Sequence, residues 1–74
     1  MMNKEMDLKE ARKEAAEVIA KAQAALAAAG ASKPEIAIKL KERLAKLEEK
    51  AQGDDATSIK IEAKFVLDEM EKLA

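Results

Sequence analysis

The chain contains no cysteine, histidine, tryptophan or tyrosine, a single phenylalanine (Phe65), a single proline (Pro34) and two glycines, Gly30 and Gly53. Each absence closes off a class of protein. Without cysteine there is no disulfide framework, and without cysteine or histidine no soft metal site. The usual general bases and nucleophiles are missing too. The chain therefore reads as a non-enzyme that needs no cofactor and no metal. Charge of one sign is also lacking: 14 Lys and Arg stand against 15 Asp and Glu, a net charge of −1. That balance argues against a nucleic-acid surface or an acidic tail. Long apolar runs are absent. The most apolar stretch, Ala15 to Ala29, carries Glu17, Lys21 and Gln23 and is too short to span a bilayer. The N-terminus, Met1 to Asp7, lacks the apolar segment of a signal peptide. A cytoplasmic chain that meets neither membrane nor nucleic acid is the expectation.

What is present is helical periodicity. Apolar residues recur at Leu8, Ala11, Ala15, Val18, Ala22, Ala25 and Ala29, then at Ala37, Leu40, Leu44, Leu47 and Ala51. A third series runs Ala56, Ile59, Ala63, Val66, Met70 and Leu73. Steps of three and four lay each series along one face of a helix. The expectation is one all-α domain spanning residues 1–74, with helices over about residues 4–29, 33–52 and 55–73. Short linkers make consecutive helices antiparallel, an up-down-up three-helix bundle. Its core would hold Leu8, Val18, Ile19, Leu26, Ile36, Leu40, Leu44, Leu47, Ile59, Val66, Leu67, Met70 and Leu73. Alanine supplies much of the 49% hydrophobic content; it buries little surface but is the best helix former and allows close helix approach.

Punctuation supports these boundaries. Gly30 and Gly53 fall just past the first two stripes, where a left-handed glycine most cheaply ends a helix. Asn3 or Asp7 would begin the first helix, with Asp7 and Glu10 at capping-box spacing. Ser32, Pro34 and Glu35 repeat that signal more clearly for the second. Asp54 or Asp55 would cap the third. Flanking charges suggest register: Lys50 falls level with Asp55, Arg43 with Glu62, Glu48 near Arg12 and Glu14 near Lys60. A close Arg43–Glu62 contact is the sharpest of these expectations.

Candidate functional residues are few. Ser32, Thr57 and Ser58 stand at helix starts with no base beside them, and capping explains them. Asp54 and Asp55 lack the spacing of a calcium loop, and Glu48 with Glu49 form a solvated helix face. Lys39, Arg43, Lys46 and Lys50 make a basic stripe that phosphates or an anionic membrane could use. Pairing with the acidic flank of the third helix, Asp55, Glu62 and Glu69, is the simpler account. Ile38, Ile61 and Phe65 point about 150°, 170° and 130° away from their stripes, towards water. They are the candidate interface for a protein partner or a second copy. Ala20, Ala24, Ala27 and Ala28 give the first helix a smooth outer face.

Residues 25–73 are similar to the C-terminal helical lid of DnaK-type heat-shock chaperones. The similarity rests on Gly30-Ala31-Ser32-Lys33-Pro34 at the first turn and on the segment from Gly53 through Asp54, Asp55, Ile59 and Ile61 to Lys64 at the second. The resemblance implies a non-catalytic helical domain of the kind that covers a peptide-binding sheet domain. The sheet domain and the long upstream lid helix have no counterpart here, so neither chaperone activity nor any site residue carries over. An engineered bundle is the other reading, given the heavy use of Ala, Glu, Lys and Leu and the short capped turns. Three functions follow in order: a scaffold, designed or lid-like; a helical binding or self-associating module; and an electrostatic binder using the basic stripe.

Overall fold

The computed structural model describes residues 4–73. Three helices account for most of them: α1, Lys4–Ala29; α2, Pro34–Ala51; and α3, Ala56–Leu73. All three pack against one another, α3 more extensively on both neighbours than α1 and α2 on each other. The fold is an all-α three-helix bundle. Two long side chains fix its direction. The guanidinium of Arg12, early in α1, donates to the carbonyl of Gly53 in the α2–α3 turn at 2.8 Å. Lys33, just before α2, donates to the carbonyl of Lys72 at the end of α3 at 3.0 Å. The start of α1 therefore lies level with the end of α2 and the start of α3, and the chain runs up, down and up. At 26 residues α1 outreaches the 18-residue α2 and α3, and the molecule extends 46 × 16 × 15 Å.

The core follows the apolar stripes. Leu40, Leu47, Ile59 and Val66 are the largest side chains fully enclosed. α1 meets them mostly with alanine: Ala11, Ala15 and Ala22 are completely buried, with Val18 beside them. Leu44, Ala37, Ala63 and Leu73 complete the interior, while Leu8, Ile19, Leu26, Ile36 and Met70 pack on it half-buried. Leu67 departs from expectation: it is 41% exposed, whereas Glu62 and Glu69 are only 8% exposed. Position on the helix explains both. Leu67 lies about 100° around α3 from Val66, while Glu62 and Glu69 lie about 40° and 60° from it on the opposite side. The two carboxylates fall inside the buried arc and the leucine outside it.

Helix ends also differ from the sequence reading. The bounds of α2, Pro34–Ala51, and the start of α3 at Ala56 fall within a residue of those expected, but the capping differs. α1 starts at Lys4, so Asp7 sits inside the helix rather than at its cap position, while Asn3 lies outside the described residues. Ser32 is not the cap of α2. Lys33 occupies that position and makes no side-chain cap bond, and Pro34 opens the helix, where a missing N–H is harmless. Neither glycine is left-handed. α2 instead ends by tightening: the amides of Gln52 and Gly53 donate to the carbonyls of Glu49 and Lys50, three residues back, at 3.2 and 3.0 Å. At the end of α1 the amide of Gly30 still donates to Leu26 at 2.9 Å. A β-carbon there would sit 2.5 Å from that carbonyl oxygen. Close approach, not handedness, is why residue 30 is glycine.

Asp55 caps α3. Its carboxylate accepts from the Ser58 amide at 3.2 Å and from the Ser58 hydroxyl at 2.8 Å. The hydroxyl bond, then the amide bond, hold the Asp55 carboxyl below the usual aspartate range against the opposing effect of desolvation; the Thr57 amide and the positive charge of Lys50 add lesser contributions.

Candidate functional site

α3 carries the residues of interest along the edge it shares with α2. Ile61 and Phe65 are one turn apart, 49% and 40% exposed. The guanidinium carbon of Arg43 on α2 stands 5.0 Å from the centre of the Phe65 ring, within the range of a cation–π contact. This contact takes the place of the expected Arg43–Glu62 pair. Arg43 reaches outward over the ring, and the Glu62 carboxylate beneath is left with Oε2 buried and unpartnered. Glu69, two turns along, also has a buried, unpartnered Oε2; its Oε1 meets the ammonium of Lys72 at 3.3 Å.

Lys39, Arg43 and Lys46 line, with Glu42 and Glu69, a hollow of about 290 Å³ on the same edge. No ion pair joins this basic stripe to α3 among the described residues. Lys50 acts on Asp55 only at a distance, through its charge. The other two expected pairs are also unformed: Arg12 bonds the Gly53 carbonyl rather than Glu48, and no bond links Glu14 to Lys60 among the described residues. Exposed pairs of this sort contribute little, so their absence costs the fold little.

The structure brings Ile61, Phe65 and Arg43 together and leaves Ile38 apart. Ile38 is 58% exposed but lies about 140° around α2 from Arg43, so it faces away from the α2–α3 edge. Leu67 is the exposed apolar residue that the sequence reading missed; it lies about 160° around α3 from Phe65, on the edge towards α1. The buried glutamates were missed as well. Their sequence signal is the spacing of seven residues that keeps both on the same side of Val66.

The hydroxyls have structural partners or positions. Ser58 donates to Asp55 within the cap, and Thr57 lies one residue before it in the first turn of α3. Among the described residues no cluster of acidic side chains is arranged to hold a metal ion, and no helix is long and apolar enough to cross a membrane. No protein-family model, curated protein or solved structure matches the chain.

Proposed function

We propose that this chain is a non-enzymatic three-helix-bundle scaffold, designed or derived from a chaperone-lid-like domain, that carries its surface residues on an independent core. The observation behind this reading is the division between interior and surface. The enclosed residues Leu40, Leu47, Ile59 and Val66 are supplied by two helices and covered by the alanines of the third, while the Ser58 hydroxyl is engaged within the Asp55 cap. The test is to change the surface and leave the core. Ile38→Ser, Ile61→Ser and Phe65→Ser together should preserve helical circular dichroism and a single cooperative melt. Loss of that melt would show that the exposed apolar residues belong to the fold, and the scaffold reading would fall.

A second reading has its own support. Ile61 and Phe65 are a paired apolar exposure, one of them the only aromatic ring in the chain, and exposed aromatic residues are enriched at interfaces. On this reading the bundle is a protein-binding or self-associating module. Sedimentation of the wild type beside Phe65→Ser separates the two, since a pure scaffold is a monomer that the substitution leaves unchanged.

A further inference from the structure

Arg43 and Glu62 stand level across the α2–α3 edge, yet among the described residues neither forms an ion pair. Lys33 bonds the carbonyl of Lys72, and counting ten residues forward from Lys33 and ten back from Lys72 arrives at Arg43 and Glu62. On α2, Arg43 is the cation of the basic stripe nearest the seam with α3; Lys39 and Lys46 lie about 40° and 60° further out. On α3, Glu62 is nearly enclosed and its Oε2 is buried without a partner. Phe65 follows three residues later on the same edge, about 60° further out. The two groups that Arg43 can hold are therefore neighbours, one inside and one outside. The guanidinium takes the outside one, 5.0 Å from the ring centre.

The ring explains that choice. Over Phe65 the guanidinium is attracted to the π face and keeps its other side in water. Against Glu62 it would gain a charge-assisted hydrogen bond but give up that water, a cost that buried pairs often fail to recover. Removing the ring takes away the attraction of the outer position. Covering the ring takes away its water. In either case the carboxylate beneath offers what the outer position has lost, and an unpaired charge is costliest where the dielectric is low.

We infer that Arg43 is a two-position switch, lying over Phe65 while the ring is open to water and on Glu62 when the ring is covered or absent. The inference deepens the second reading above, on which it rests for a partner, by naming how that face is regulated. A partner that covers Phe65 moves Arg43 inward, supplies Glu62 with its missing donor and tightens the α2–α3 seam. Binding at the surface is then felt in the core, to the extent that the partner prefers one arrangement over the other. The switch itself belongs to the single chain, and changing the ring throws it without any partner.

Phe65→Leu, which keeps apolar bulk and removes the π face, is the input. The first readout is position, by nuclear magnetic resonance. The chain has two arginines, and Arg12, bonded to the Gly53 carbonyl, is the internal reference. The Arg43 Hε signal should lie upfield in wild type through the ring current and move downfield in Phe65→Leu. The Glu62 carboxylate carbon should shift with it, and adding Arg43→Gln should abolish that shift. The second readout is stability. Glu62→Met should raise the melting temperature of wild type but not that of Phe65→Leu, the two effects differing by at least about 5 °C. Adding Arg43→Gln to the Phe65→Leu chain should restore the rise, whereas adding Lys46→Gln should not. Circular dichroism checks folding, and Phe65→Met carries the same test should Phe65→Leu not fold. Equal effects of Glu62→Met in the two backgrounds, or a Glu62 signal that does not move, overturn the switch whatever sedimentation shows. A switch that operates in a chain that associates with nothing supports the inference and counts only against the binding reading.

Discussion

Replacing Glu62 with methionine should stabilise the protein. Glu62 is 8% exposed, and its Oε2 is buried without a hydrogen-bond partner. Leaving one such polar atom unpaired costs about 1–3 kcal/mol, and more when it carries charge. Methionine has similar length, similar helix propensity and no polar atom to desolvate. Even a buried ion pair, whose charges are partnered, can be replaced by well-packed apolar residues at no loss or with a gain of about 1–4 kcal/mol. The expected gain for Glu62→Met is about 1–2 kcal/mol, taking the orphaned oxygen as the main contribution and allowing for imperfect packing. In a domain of this size each kcal/mol moves the melting temperature by about 4–8 °C. Thermal melts followed by circular dichroism would show the rise. Urea titration should show a higher midpoint with an unchanged slope, as expected when stability changes and compactness does not. Glu49→Met, on the exposed outer side of α2, is the control and should shift stability by less than about 0.5 kcal/mol. Glu69→Met should gain less than Glu62→Met, because it gives up the 3.3 Å contact with Lys72. A Glu62→Met protein less stable than wild type would refute the reasoning, since the carboxylate would then have a favourable partner.

Further predictions follow from particular contacts. Gly30→Ala should destabilise by about 1–3 kcal/mol, because the new methyl meets the Leu26 carbonyl oxygen at 2.5 Å. Gly53→Ala, whose methyl would lie 3.3 Å from the Lys50 oxygen, should be milder, and urea midpoints of the two would rank them. Leu47→Ala, at a fully enclosed position, should cost about 2–5 kcal/mol, read as a lower midpoint in a thermal melt. Asp55→Ala should lower the melting temperature at neutral pH, whereas Asp55→Asn, still able to cap, should lower it less. The pH dependence has a definite sign. Because the folded carboxyl titrates below its unfolded value, its contribution is present above the unfolded pKa of about 3.9 and fades as pH falls through the lower folded value. Wild-type stability should therefore fall more steeply than that of Asp55→Asn over this acid range; parallel pH profiles would exclude the cap as the cause.

The bundle was legible because its signals are local. A three-and-four spacing survives any tertiary context, and Leu40, Leu44, Leu47, Ile59 and Val66 are buried where that spacing puts them. Asp55 could be read as a cap because the bond it makes spans three residues. What resisted reading depended on angle or on competition. Leu67 is apolar but about 100° from the seam, and Glu62 is charged but about 40° from it; chemistry suggested one assignment and geometry imposed the other. Arg43 had two partners within reach, a carboxylate and an aromatic face, and the sequence pattern does not rank them. Ser32 lost its capping place when Pro34 took the first helical position. Of the candidate surface, the outward direction of Ile38, Ile61 and Phe65 could be counted from the helix period. That Ile38 stands away from the other two followed only once Arg43 showed which edge of α2 meets α3.

The alanines that α1 contributes to the interior affect how the protein responds to temperature. Ala11, Ala15 and Ala22 occupy enclosed positions where many domains place leucine or phenylalanine. Unfolding therefore hydrates comparatively little hydrocarbon, and exposed hydrocarbon is the main source of the heat-capacity increment. A small increment flattens the stability curve, so warmth and cold erode this fold slowly and over a broad range. Alanine also has no rotamers to freeze, which lowers the entropy that ordering each of those positions requires.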